Sequence, residues 1–92
     1  MKVILSPKAE LDFEAQMRWL NKHSPTAGRS AALRIVEVID LLSDFPDMGT
    51  AVSSGMREKT VQFGRDGFVI RYRRSGRTLF VQRIFYSRQD RA

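Results

Sequence analysis

Apolar positions along the 92-residue chain follow two periodicities, helical in the first half and alternating in the second. Val3-Ile4-Leu5 reads as a short buried strand that stops at Ser6-Pro7. Serine at the N-cap with proline at the first helical position is a strong helix start. Glu10, Asp12 and Glu14 follow it, with Lys22 and His23 at the far end, the order the helix dipole favours. Ala9, Leu11, Phe13, Ala15, Met17 and Trp19 alternate as in a strand. A twelve-residue strand rich in Glu and Ala is improbable, however, and Phe13, Met17 and Leu20 form an i, i+4, i+7 stripe, so the spacing predicts a helix over 7–22. Trp19 is expected to pack within the helical pair, and His23 to sit on the surface at the helix C-terminus.

Ser24-Pro25 repeats the start signal one residue after His23. Ala31, Ala32, Ile35, Ile39 and Leu42 then share a face flanked by Val38 and Leu41, until Phe45-Pro46 ends the helix. So short a connection implies an antiparallel helical hairpin. Residues 47–55 read as a loop.

Three strands complete the chain, with Met56-Arg57-Glu58 opening the first of them. A two-residue turn at Ser75-Gly76 would join strands 68–74 and 77–86, placing Tyr72 opposite Leu79 and Ile70 opposite Val81. A four-residue loop at 64–67 would pair Phe63 with Phe68 and Val61 with Ile70. Together these registers put Val61, Phe63, Phe68, Ile70, Tyr72, Leu79 and Val81 on the face that meets the helices. The opposite face would carry Glu58, Thr60, Gln62, Val69, Arg71, Arg73, Thr78, Phe80, Gln82, Ile84 and Tyr86, with Glu58 across from Arg73. Phe80, Ile84 and Tyr86 on an uncovered, arginine-rich face make a candidate binding surface. The predicted fold is α+β, one domain over 1–92, its helical hairpin packed on one face of a mainly antiparallel sheet in the order β-α-α-β-β-β.

Composition narrows the chemistry. There is no cysteine and one histidine, which leaves no disulfide frame and no zinc ribbon, and neither a metal nor another cofactor is expected. No apolar run exceeds three residues, so neither a membrane span nor a secretory leader is predicted, and a cytoplasmic location is expected. The net charge of +6 is unevenly held: residues 1–54 carry six basic and seven acidic groups, residues 55–92 ten basic and three acidic. Twelve of the sixteen basic residues are arginine. The second half is therefore suited to an acidic partner, nucleic acid or protein.

The order of elements and five short motifs resemble the RelE/ParE superfamily of bacterial type II toxins. The motifs are Ser6-Pro7-Lys8-Ala9, Phe45-Pro46-Asp47-Met48-Gly49, Met56-Arg57-Glu58, Phe68-Val69-Ile70-Arg71-Tyr72-Arg73, and Arg83-Ile84-Phe85-Tyr86-Ser87-Arg88-Gln89-Asp90. The resemblance implies a basic toxin held inactive by a cognate antitoxin. RelE-like members cut mRNA on the ribosome; ParE-like members inhibit DNA gyrase. The Phe-Pro-x-Met-Gly turn and the terminal aromatic-x-Arg-x-Asp pattern are closer to ParE, for which no direct, specific DNA binding by the toxin is expected. Three positions depart from the family pattern: Tyr86 stands where histidine is common, Gln89 where a second arginine is, and Gln16 where helix 1 is usually apolar.

Target contact is expected from Arg71, Arg73, Phe80, Arg83, Tyr86, Arg88 and Arg91, and antitoxin contact from Phe13, Trp19 and Leu20 or along a sheet edge. In the alternative, a ribosome-dependent mRNA endonuclease, Arg71, Arg73, Tyr86 and Arg88 would form the catalytic set. Arginine is a poor proton shuttle, and Tyr86 could act as a base only if nearby cations lowered its pKa from about 10. Arg57 and Lys59 share the parity of the core residues, and Val69 stands where a nuclease would present a phosphate-binding arginine. Both features favour the inhibitor.

Overall fold

The computed structural model describes residues 1–89. In chain order it contains β1 (Lys2–Leu5), α1 (Pro7–His23), α2 (Pro25–Asp44), β2 (Thr50–Ala51), β3 (Arg57–Phe63), β4 (Asp66–Ser75) and β5 (Thr78–Tyr86). The five strands form one sheet in the order β1-β5-β4-β3-β2, antiparallel except for β1, which runs parallel to β5. β2 is a two-residue addition at the edge, from within the segment predicted as loop 47–55. No helix among the described residues is long and apolar enough to cross a membrane.

Two serines set the helix boundaries. The Ser6 hydroxyl accepts the Ala9 N–H at 3.0 Å, and the Ser24 hydroxyl accepts the Ala27 N–H at 3.3 Å, with a proline opening each helix. Ser24 also donates its backbone N–H to the Leu20 carbonyl at 2.7 Å, so one residue ends α1 and begins α2. The helical hairpin covers one face of the sheet. Ile35 and Leu42 meet Val61, Ile70, Tyr72, Leu79, Val81 and Ile84 in the core, all essentially solvent-free.

Both β-turns are shorter or shifted relative to expectation. The two central residues are Gly64-Arg65 and Gly76-Arg77, glycine first and at positive φ (61° and 59°), an arrangement that suits the right-handed twist of a tight hairpin. Val61 consequently pairs with Phe68, and Tyr72 with Val81, each two residues from the predicted register. A shift of two preserves the face, so the predicted inward set holds.

The register of β5 then changes once more. Tyr72 pairs with Val81 but Arg71 with Arg83, which leaves Gln82 as an extra residue in a β-bulge. The bulge exchanges the faces of everything after it. Ile84, predicted outward, is fully buried against the helices, and Tyr86 follows it to the helical side; Arg83 and Phe85 turn to the outer face instead. Glu58 pairs with Arg71 and not with Arg73, a consequence of the shifted β3–β4 register.

The Phe-Pro-x-Met-Gly turn has a structural purpose. Tyr72 is completely buried; its hydroxyl donates to the Pro46 carbonyl at 2.7 Å and accepts the Gly49 N–H at 2.9 Å. Gly49 must lack a side chain, because a β-carbon there would lie 2.5 Å from the Tyr72 oxygen. Arg57 closes the turn from the other side, donating to the Gly49 carbonyl at 2.8 Å.

Candidate functional site

β1 ends at Leu5, so among the described residues the second half of β5 has no strand on that side, and α1 takes its place. Ser6 donates its N–H to the Val81 carbonyl and its hydroxyl to the Gln82 carbonyl at the bulge, at 2.9 and 2.7 Å. Further along α1, Asp12 accepts the Ile84 N–H at 2.9 Å, and Gln16 donates its amide to the Ile84 carbonyl at 2.6 Å. Asp12 and Gln16 stand four apart on one helix face and satisfy both backbone groups of one strand residue, as a neighbouring strand would. Gln16, polar where the superfamily pattern is apolar, is thereby explained.

On the outer face a row of alternating charge and aromatic character crosses the sheet. Glu58 receives the Arg71 guanidinium at 2.8 Å. Arg71 and Arg83 lie over the Phe85 ring, at 4.9 and 4.7 Å from its centre. Arg83 in turn makes a two-pronged pair with Asp12, at 2.8 and 3.0 Å, which raises its pKa. Phe85 is only 3% exposed, and both guanidiniums lie over its ring. Each such cation–π contact contributes about 0.5–2 kcal/mol, more as it is desolvated. Arg73 covers Phe80 in the next row at 5.1 Å.

A second feature lies on the helical side, at the end of the β3–β4 hairpin. It is a groove of about 650 Å³ between Trp19 and Leu20 of α1 and the sheet residues Phe63, Phe68 and Tyr86, with Arg65 and Asp66 on its lip. Gln16 also lines it, and its side-chain oxygen is buried without a hydrogen-bond partner in the described structure. Trp19 is 60% exposed and stacks on His23 at 4.1 Å, so it does not pack within the helical pair as the sequence predicted. His23 donates its Nδ1–H back to the Trp19 carbonyl at 2.8 Å and stays on the surface.

At the groove's lip the Tyr86 hydroxyl donates to Asp66 at 2.7 Å, and Arg88 pairs with the other oxygen of the same carboxylate at 2.8 Å. The hydrogen bond to Asp66 raises the pKa of Tyr86, and the same bond, aided by Arg88, lowers that of Asp66. A tyrosine base needs the opposite shift.

The residues singled out from sequence therefore separate into two places. Arg71, Arg73, Phe80 and Arg83 occupy the outer face; Tyr86 and Arg88 sit at the groove with Trp19 and Leu20. Phe13 packs against the core and is not part of the groove wall. Arg91 lies outside the described residues. Sequence reasoning missed Asp12, Gln16, Asp66 and Phe85. Asp66 was hidden inside an expected loop, and Phe85 behind a bulge that no residue pattern announces.

The fold is that of a family of small toxins. The ParE toxin family of type II toxin–antitoxin systems, parDE, matches residues 3–91, and the chain belongs to that family. It is 32% identical to Toxin RelE1 and 34% identical to Toxin RelE3 of Caulobacter vibrioides, over 97% of this chain and 96% and 97% of those proteins. A solved chain of the chromosomal ParDE system from P. aeruginosa shares the fold, with a TM-score of 0.73 at 23% identity, covering 94% of this chain and 95% of that one. The protein is thus the toxin of a type II toxin–antitoxin system, and a cognate antitoxin is its partner.

Proposed function

We propose that this toxin inhibits DNA gyrase through protein–protein contact, does not cleave RNA, and is neutralised by an antitoxin segment seated in the groove beside Trp19 and Leu20. What carries the proposal is the state of the groups a nuclease would need. Cleavage by a 2′-hydroxyl requires a base, an acid for the leaving oxygen and cations for the phosphorane charge. Arg71 and Arg83 are engaged by Glu58 and Asp12, so a phosphate would have to displace a carboxylate from each. Arg57 is turned into the Pro46–Gly49 loop. Tyr86 holds its proton more tightly than a free tyrosine. The same residues suit docking: arginine stems over Phe80 and Phe85 offer a flat, partly apolar surface of the kind enriched in protein interfaces. Arg73, Phe80, Tyr86 and Arg88 are the proposed target contacts, together with Arg91, which lies outside the described residues and is named on sequence alone.

The groove suits an apolar segment with acidic residues, which would meet Arg65 at its lip. Primer extension on a message under translation distinguishes the alternatives. The expected result is no toxin-dependent cut on the ribosome; cuts that disappear in Tyr86→Phe or Arg88→Ala would establish the endonuclease instead.

A further inference from the structure

The segment after β5, Ser87 to Gln89, is folded back on the β3–β4 hairpin by a set of contacts centred on one carboxylate. Beyond β5, Ser87 donates its N–H to the Gly67 carbonyl at 2.9 Å. The Gln89 N–H reaches the Tyr86 carbonyl at 2.8 Å, while the Gln89 side-chain oxygen accepts the Tyr86 N–H at 3.1 Å. This turn places Arg88 over Asp66. Gly67, at φ 134° and with the Val61 carbonyl where its β-carbon would go, lets β4 approach β3 closely at this end of the hairpin, and its own carbonyl is the one that receives Ser87. Asp66 then uses both oxygens: one accepts the Tyr86 hydroxyl and the other the Arg88 guanidinium through Nε.

We propose that Asp66 is a positioning residue, holding the Tyr86 hydroxyl and the Arg88 guanidinium together at the mouth of the groove as one pre-formed contact for the target. The proposal rests on the target contact assigned above to Tyr86 and Arg88. Stability alone gives a poor account of the cluster, since an ion pair with Arg88 65% exposed contributes little to folding. Its consequence is conformational. Arginine has a long, mobile side chain, and fixing it before contact removes part of the entropy cost of binding. Because Nε makes the bond, the two terminal nitrogens are the ones that would meet an acceptor on the target.

The test uses purified full-length toxin and the variants Asp66→Ala, Asp66→Asn, Arg88→Gln, Tyr86→Phe and the double Asp66→Ala/Arg88→Gln. Half-inhibitory concentrations are read in gyrase supercoiling, and the Tyr86 phenol is titrated by NMR. Asp66→Ala should raise the half-inhibitory concentration about three- to tenfold, the effect of one side chain ordered only on contact. The double variant should be no worse than Arg88→Gln, and Tyr86 should ionise at lower pH in Asp66→Ala. Asp66→Asn, which keeps an acceptor for Tyr86 and loses the charge for Arg88, should fall between. Weakened inhibition in Arg88→Gln with wild-type potency in Asp66→Ala would overturn the positioning role and leave the target contact standing. Wild-type potency in both Arg88→Gln and Tyr86→Phe, or no inhibition by the unmodified toxin, would remove the contact itself and the positioning role with it.

Discussion

Tyr72→Phe tests how the family's turn is held. The substitution keeps the ring in its buried site and removes only the hydroxyl, which bridges the Pro46 carbonyl and the Gly49 N–H. The Gly49 N–H is the more serious loss, because that bond is buried and a desolvated donor without a partner costs about 1–3 kcal/mol. The Pro46 carbonyl lies nearer solvent and recovers part of its bonding from water, so its share is about 0.5–1 kcal/mol. Together the expected destabilisation is about 1.5–4 kcal/mol, a large part of the margin of a domain this small. At 92 residues this corresponds to a Tm lower by roughly 6–30 °C. Urea and thermal unfolding followed by circular dichroism measure it directly. A loss below about 0.5 kcal/mol, the range of an ordinary surface substitution, would refute the role assigned to the hydroxyl.

Other consequences are equally open to measurement. Asp12→Ala removes the acceptor for the Ile84 N–H and the partner of Arg83 together, and should cost about 2–4 kcal/mol in chemical denaturation; Asp12→Asn should recover a good part of this, and equal losses in the two would contradict a role in sealing the β5 edge. Trp19→Ala should leave the folding free energy within about 1 kcal/mol of wild type, the residue being mostly exposed, while weakening the antitoxin complex by about 30-fold or more in calorimetry. An unchanged affinity would place the antitoxin elsewhere. Burial raises the pKa of Tyr72, so its unfolded form loses the proton first, at about 10. Its contribution is complete below that pH and is lost as pH rises through the folded value; the fall in denaturation midpoint between pH 9 and 11 should be smaller in Tyr72→Phe, and an identical fall would contradict it.

Much of the architecture is written in local signals. Ser-Pro pairs at 6–7 and 24–25 fix both helix starts because they work through neighbouring backbone groups, which a sequence displays. The inward set of the meander was recoverable for a different reason: a two-residue register error returns every side chain to its own face. Gln82 shows the limit. One unpaired residue reverses the faces of Ile84, Phe85 and Tyr86, and nothing in Val81-Gln82-Arg83 signals it; the Ser6 hydroxyl that binds the Gln82 carbonyl is 76 positions away in the chain. The candidate surfaces suffered accordingly, for Tyr86 moved to the groove and Phe85 took its place among the arginines. Asp12 and Gln16 were illegible as edge-sealing groups, since their task depends on β1 stopping at Leu5. Trp19 was misassigned because a large apolar side chain beside the buried stripe does not show whether the sheet reaches far enough to cover it.

The central claim is that the arginines of this toxin dock on a protein and do not process RNA. Its most direct test is a supercoiling assay with purified gyrase and this toxin in stoichiometric excess, in the presence and absence of the antitoxin. Loss of supercoiling that the antitoxin restores is the predicted result. Full supercoiling at every toxin concentration, from a preparation that still arrests growth when expressed, would contradict it.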